Sequence, residues 1–232
     1  MNLNTEKVKY DDATSDALAN ACRTVAQNID GALPPLKNSL TTALEDFKGH
    51  YADVAAANID TTISDGRDIA SIFRQLADVV DRLKESAHKE NENRDLMYHY
   101  EHDLGGFRKW WVETFGGEPP KPTSYKPDTS IDTTSLGHRE STETRSGSMT
   151  VSSARPSAVR ALSNTLANLG TSFDAEPGKL RNLSTEFMVK CQWGSVDAEN
   201  LISTFEAWNK SNANDKTWLG IVADTFEKYG SS

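Results

Sequence analysis

The stretch DALANACRTVAQNIDGALPPLKNSLTTALEDFKG, residues 16–49, decides the fold. Its apolar residues fall at Leu18, Cys22, Val25, Ile29, Leu33, Leu36, Leu40, Leu44 and Phe47, in steps of four and three. That spacing keeps one stripe of a helix turned toward a partner, as in an antiparallel pair or coiled coil, whereas a strand would repeat every second residue. Gly31 and Pro34-Pro35 disturb the pattern, because proline inside a helix removes a hydrogen bond and clashes with the preceding turn. The apolar phase nonetheless continues across them. The expectation is therefore a kink, or two collinear helices with Pro34 near the start of the second.

Working outward, a short break is expected at Lys48-Gly49, followed by a second long helix from about Tyr51 to Leu104. Its seam reads Ile59, Thr62, Gly66, Ile69, Phe73, Leu76, Val80, Leu83 and Ala87, again in threes and fours. Past Ala87 the helix turns polar and should project beyond its partner, and Gly105-Gly106 should end it. An aromatic cluster, Phe107, Trp110, Trp111 and Phe115, then closes at Gly116-Gly117. From Glu118 to about Ser153 the chain is rich in Pro, Ser, Thr and Gly. Such a segment buries too little apolar surface to offset its ordering entropy, so a disordered linker is expected.

Helical spacing returns near Pro156 with Leu162, Leu166, Leu169, Phe173, Leu180, Leu183 and Phe187, interrupted at Pro177-Gly178. Trp193-Gly194 marks a turn. A helix should follow from about Asp197 through Leu201, Ile202, Phe205 and Trp208, break at Ser211–Asp215, and give way to a last helix carrying Trp218, Ile221, Val222 and Phe226. The fold class is thus all-α, with two helical-hairpin modules at 1–117 and 154–232 and a linker at 118–153. The halves also align as an internal repeat: Leu18 falls on Leu162, Cys22 on Leu166, Val25 on Leu169, Ile29 on Phe173 and Leu36 on Leu180, with Pro34-Pro35 beside Pro177-Gly178.

Composition narrows the function. The 232 residues carry a formal net charge of -9, which disfavours a general nucleic-acid binder or adsorption to an anionic membrane. No apolar run approaches the roughly 20 residues needed to span a bilayer. The first twelve residues lack the apolar core of a secretory signal. Cys22 and Cys191, one in each half, do not make a disulfide framework, and both read as buried free thiols.

A long heptad helix, an aromatic-x-Gly turn at Phe47-Lys48-Gly49 with Tyr51 and Val54 after it, and a second heptad helix together resemble the WXG-type proteins of bacterial type VII (ESX) secretion. The polar helix end, the segment closing Phe115-Gly-Gly-Glu-Pro-Pro, and the Ser/Thr/Pro linker look like the N-terminal export regions of actinobacterial ESX effectors. Cys191-Gln-Trp193-Gly194 in the second half looks similar. The resemblance implies a non-enzymatic protein, cytoplasmic before export and then secreted or on the cell surface without a cleaved signal peptide. Its implied partners are a small helical WXG-type protein, or a second copy of this chain, and the secretion machinery. In two places the chain departs from the family: Phe47 stands where the family usually has Trp, and the export signal Tyr-x-x-x-Asp/Glu is absent in strict form. Tyr98, Tyr100 and Asp103 supply its residue types at altered spacing.

Each singled-out group also has a plainer reading. Phe47 and Gly49, like Trp193 and Gly194, can simply cap a hairpin, glycine taking the left-handed conformation and the aromatic plugging the open end. Phe107, Trp110, Trp111 and Phe115 either fold back on the hairpin or anchor a partner chain. His88, His99 and His102 fall short of the three or four converging ligands of a zinc site, so neither metal nor cofactor is expected. No phosphate loop, nucleophile elbow or His-Glu-x-x-His motif occurs. The rival to export is a structural or cell-surface spacer, or a cytosolic adaptor working by helix–helix binding.

Overall fold

The computed structural model describes residues 5–103, 105–106, 114, 127–133 and 153–229. The protein is all-α, with no strand among the described residues. Five helices follow in order: α1 Asp12–Ala43, α2 His50–His102, α3 Pro156–Phe173, α4 Glu176–Lys190 and α5 Glu199–Tyr229. The linker expected at 118–153 lies outside the described residues except at 127–133 and 153.

Helix α1 opens on Asp11, whose side-chain oxygen accepts the Thr14 N–H at 2.7 Å and so caps a donor that has no partner in the first turn. It then runs for 32 residues with Pro34 and Pro35 inside it. Two collinear helices do not form. The prolines leave the carbonyls of Asp30 and Gly31 without their usual donors. Gly31, Pro34 and Pro35 are exposed, so water can take that role, while Leu33 and Leu36 stay buried on the other side.

The second half departs from expectation twice. The helix break falls at Asp174–Ala175, ahead of Pro177-Gly178, and Pro177 sits in the first turn of α4, where its missing N–H costs nothing. More notably, α5 does not break at Ser211–Asp215 but is continuous for 31 residues. Asn212 and Asp215 are 0% and 3% exposed, and point inward rather than forming a loop. All five residue pairs of the expected repeat are buried on both sides. The interruptions do not coincide, since α1 continues through its prolines while α3 stops.

The folded chain comprises two compact units, each drawing on residues before and after the Pro/Ser/Thr-rich segment. Unit 1 takes residues 1–20, 76–131 and 183–197; unit 2 takes 21–75, 132–182 and 198–232. In unit 2 the core is aromatic. Phe205 meets Phe73 and Phe173 edge-on, each at 5.5 Å between ring centroids, and stacks on Trp208 at 6.1 Å. Gly66 makes room for this packing: a β-carbon there would stand 3.0 Å from the Trp208 ring and 3.1 Å from Leu33. In unit 1, Phe187 is fully buried and meets Tyr10 edge-on at 6.1 Å. The non-helical residues that precede α1 belong to this unit and are held in it by hydrogen bonds from α2 and from the segment after α4.

Candidate functional site

The turn between α1 and α2 is built as an aromatic plug and a glycine hinge. Phe47 is 0% exposed and lies edge-on to Phe226 at 6.2 Å. Gly49 has φ 94, the one positive φ among the described residues, and it is this left-handed conformation that turns the chain from α1 into α2. Its carbonyl accepts the N–H groups of Ala52 and Asp53 at 2.8 and 3.1 Å, opening α2. Tyr51 packs edge-on against Trp218 at 6.0 Å. Residues 153–155 cover the turn. The Lys48 N–H donates to the Ser153 carbonyl at 2.9 Å, the Ser153 hydroxyl to the Asp46 carbonyl at 2.8 Å, and Arg155 pairs with Asp46.

Trp193 and Gly194 form a different kind of turn in unit 1. The Trp193 indole N–H donates to Ser86 at 2.9 Å, and the Arg94 guanidinium lies 5.7 Å from the ring centroid. Gly194 serves close approach rather than a left-handed turn: a β-carbon there would fall 2.3 Å from a Leu83 methyl.

The export-signal-like residues lie at the polar end of α2 and are divided by burial. Tyr98 is 48% exposed, with its ring 4.5 Å from that of His102 four residues on. Tyr100 is buried at 8%. Asp103 is exposed and paired with His99. Phe107, Trp110, Trp111 and Phe115 lie outside the described residues. His88 pairs with Asp12 at 2.8 Å. Among the described residues no three His, Cys, Asp or Glu side chains converge as metal ligands would. A groove of about 450 Å³ runs between α3 and α5, bordered by Gly170, Thr171, Asp174, Asn209 and Lys210. The Thr171 hydroxyl is turned back to the Ala167 carbonyl and is not presented as a nucleophile.

Sequence reasoning missed a ladder of buried polar groups in unit 2. Asn58 Nδ2 donates to Asp215 Oδ1 and Thr62 Oγ1 to Asn212 Oδ1, both at 3.0 Å. The Trp208 indole N–H donates to the Thr62 carbonyl at 3.0 Å. Asn209 Nδ2 reaches the Gly170 carbonyl and Asp174 at 3.3 and 3.2 Å. Asn58, Thr62, Asn212 and Asp215 are all buried. The missed signal was phase. Leu201, Phe205, Trp208, Asn212, Asp215, Leu219 and Val222 run in alternating steps of four and three, so the polar residues continue the buried stripe. Groups on α2 meet Asn212 and Asp215 while Asn58 Oδ1 and Asn212 Nδ2 stay buried without a partner, and a shift of one residue would strand both rungs.

The two cysteines are free and buried. Desolvation pushes the Cys22 thiol up to about 12, and burial also raises Cys191, whose Sγ donates to the Asp11 carbonyl at 3.4 Å. Neither is presented as a thiolate nucleophile. No helix among the described residues is long and apolar enough to cross a membrane. Searches of protein-family models, curated proteins and solved structures return no match to this chain.

Proposed function

We propose that this chain is a non-enzymatic, type VII (ESX)-type secreted or secretion-targeting protein that acts by being held by other helices. The observation that carries the reading is the aromatic-x-Gly turn, with Phe47 buried and Gly49 at φ 94, joining helices of 32 and 53 residues. The exposed Tyr98 and Asp103 at the far polar end of α2 would then face the export machinery, and the aromatic residues 107–115 would serve a small WXG-type partner. The test is export without processing. The full chain, expressed in a host with an intact type VII system, is expected in the culture supernatant at its full mass and is expected to be retained when the secretion ATPase is inactivated. Retention in both strains counts against the proposal.

A specific observation favours the second reading, an adaptor or spacer. The seam residues of α1 and α2 are already buried within the chain, from Leu18 to Phe47 apart from the half-buried Leu44, and from Ile59 to Ala87. Unit 2 completes its core with α3 and α5 of the same polypeptide, so a second chain is not needed to cover it. On this reading the protein is a monomer at high concentration and captures no WXG-type partner, which sedimentation and pull-down would establish together.

A further inference from the structure

The segment before α1 is attached in an unusual way. Val8 donates its N–H to Asn91 Oδ1 at 2.8 Å and accepts from Asn91 Nδ2 at 3.3 Å, so one side-chain amide reads both backbone groups of one residue. A residue whose N–H and C=O reach the same partner is strand-like, and the Asn91 amide takes the place of a neighbouring strand. Further contacts also go to main chain: Arg94 donates to the Glu6 carbonyl, the Gln192 N–H to the Lys9 carbonyl at 2.9 Å, and Cys191 Sγ to the Asp11 carbonyl. Among the described residues, side-chain recognition falls at two positions. Lys7 pairs with Asp95 at 2.9 Å. The Tyr10 ring lies against Phe187, and its hydroxyl meets Ser15 at 2.8 Å and the Val80 carbonyl at 3.3 Å. Lys9 is exposed.

This is how a peptide is bound, not how a helix is packed. Main-chain hydrogen bonds hold the segment, and two side chains select it. We propose that unit 1 carries a binding site for an extended Lys-x-x-Tyr peptide, built by Asn91, Arg94, Asp95, Phe187 and Gln192, and that residues 6–10 occupy it in cis as a displaceable ligand. The occupant in trans is a segment of that same chemistry on a partner protein. Tethering sets the competition: a short connection gives the seated segment an effective concentration on the order of millimolar, so micromolar peptide does not displace it unless the segment is loosened. The site stands whether or not the chain is exported.

The test uses the full chain and a fluorescent peptide spanning residues 4–12. Tyr10→Ala in the chain removes the anchor of the resident segment. That variant is expected to bind the wild-type peptide at least tenfold more tightly than the unaltered chain does. Adding Asn91→Ala is expected to weaken that binding roughly tenfold, the loss of hydrogen bonds into a partly buried site. Tyr10→Ala in the peptide should abolish binding, and Lys9→Ala in the peptide should leave it unchanged. Should Tyr10→Ala unfold the chain, Val8→Pro removes the N–H that Asn91 reads while keeping Tyr10, and is expected to open the site as well. A folded variant with no saturable binding, or binding indifferent to Asn91, overturns the proposal. So does an Asn91→Ala chain in which amide exchange rises throughout the molecule rather than at residues 6–10, since the segment would then be part of the core and not its ligand.

Discussion

Unit 2 and unit 1 use the same two long helices yet are closed by different chemistry. Unit 2 is closed by side chains: four aromatic rings around Phe205 and Trp208, flanked by the Asn58–Asp215 and Thr62–Asn212 rungs. Unit 1 is closed by backbone, with the carbonyls of Glu6, Val8, Lys9 and Asp11 taken up by Arg94, Asn91, Gln192 and Cys191. Ring packing is dense and hard to undo, whereas a non-helical segment held by hydrogen bonds can peel away locally. On the proposal above, one region is built for permanence and the other for exchange.

The sharpest way to break this contrast is to remove a ring from each region. Phe205→Ala is expected to cost about 3–5 kcal/mol, at the upper end for a fully buried aromatic with three ring neighbours. Phe187→Ala, equally buried but with Tyr10 as its ring partner, is expected to cost less and to free the N-terminal segment. Denaturant titration with amide exchange would measure both, and equal costs would erase the distinction.

Next in size is the polar ladder. Thr62→Val keeps the shape but leaves Asn212 without its donor in a site from which water is excluded, an expected loss of about 1–3 kcal/mol in the same titration. A neutral result would mean the rungs contribute register without contributing stability. A pair of glycines gives a smaller, signed effect. Gly66→Ala should destabilise by about 1–2 kcal/mol, because the Trp208 ring it meets is fixed by its stack and its bond to Thr62. Gly31→Ala has nothing within 4 Å and should stabilise by about 0.5–1 kcal/mol through helix propensity alone. Thermal melts of the two variants should therefore move in opposite directions.

The smallest expected effect is alkaline. Desolvation holds the Tyr10 phenol above its ordinary value of 10.0, so the folded state favours the neutral ring. Tyr10 therefore adds stability that is fully present below pH 10 and is lost as the pH climbs above it. Exchange at residues 6–10 should rise over that range before the signals of Phe73, Phe205 and Trp208 change. Simultaneous loss would show that the two regions are not separable in this way.

Most of the helical architecture could be read from residues 16–49 and their continuation, because a stripe in steps of three and four has few other ways to be buried. The turn at Gly49 was legible for the same reason. The continuity of α5 was not. Asn212 and Asp215 look like loop residues by propensity, and only their phase with Phe205 and Trp208 reveals that they belong to the buried stripe. Pro34-Pro35 left open a kink or two collinear helices, and α1 runs through them unbroken, with the prolines on its exposed side. The grouping into two units could not be inferred from periodicity, which shows that a helix has a greasy side but not which helix will cover it. Residues 5–11 carry no periodicity, and their attachment depends on Asn91, more than eighty residues away.

The Asn58–Asp215 rung joins positions 157 apart in sequence, and the Trp208–Thr62 bond spans 146. Neither bond can therefore form until α5 has been synthesised. Until then the apolar residues that α5 covers, Phe73 and Phe173 among them, stay open to solvent, as surface of the kind chaperones bind. Closure of unit 2 thus waits on α5 finding α2, a search across a long stretch of chain.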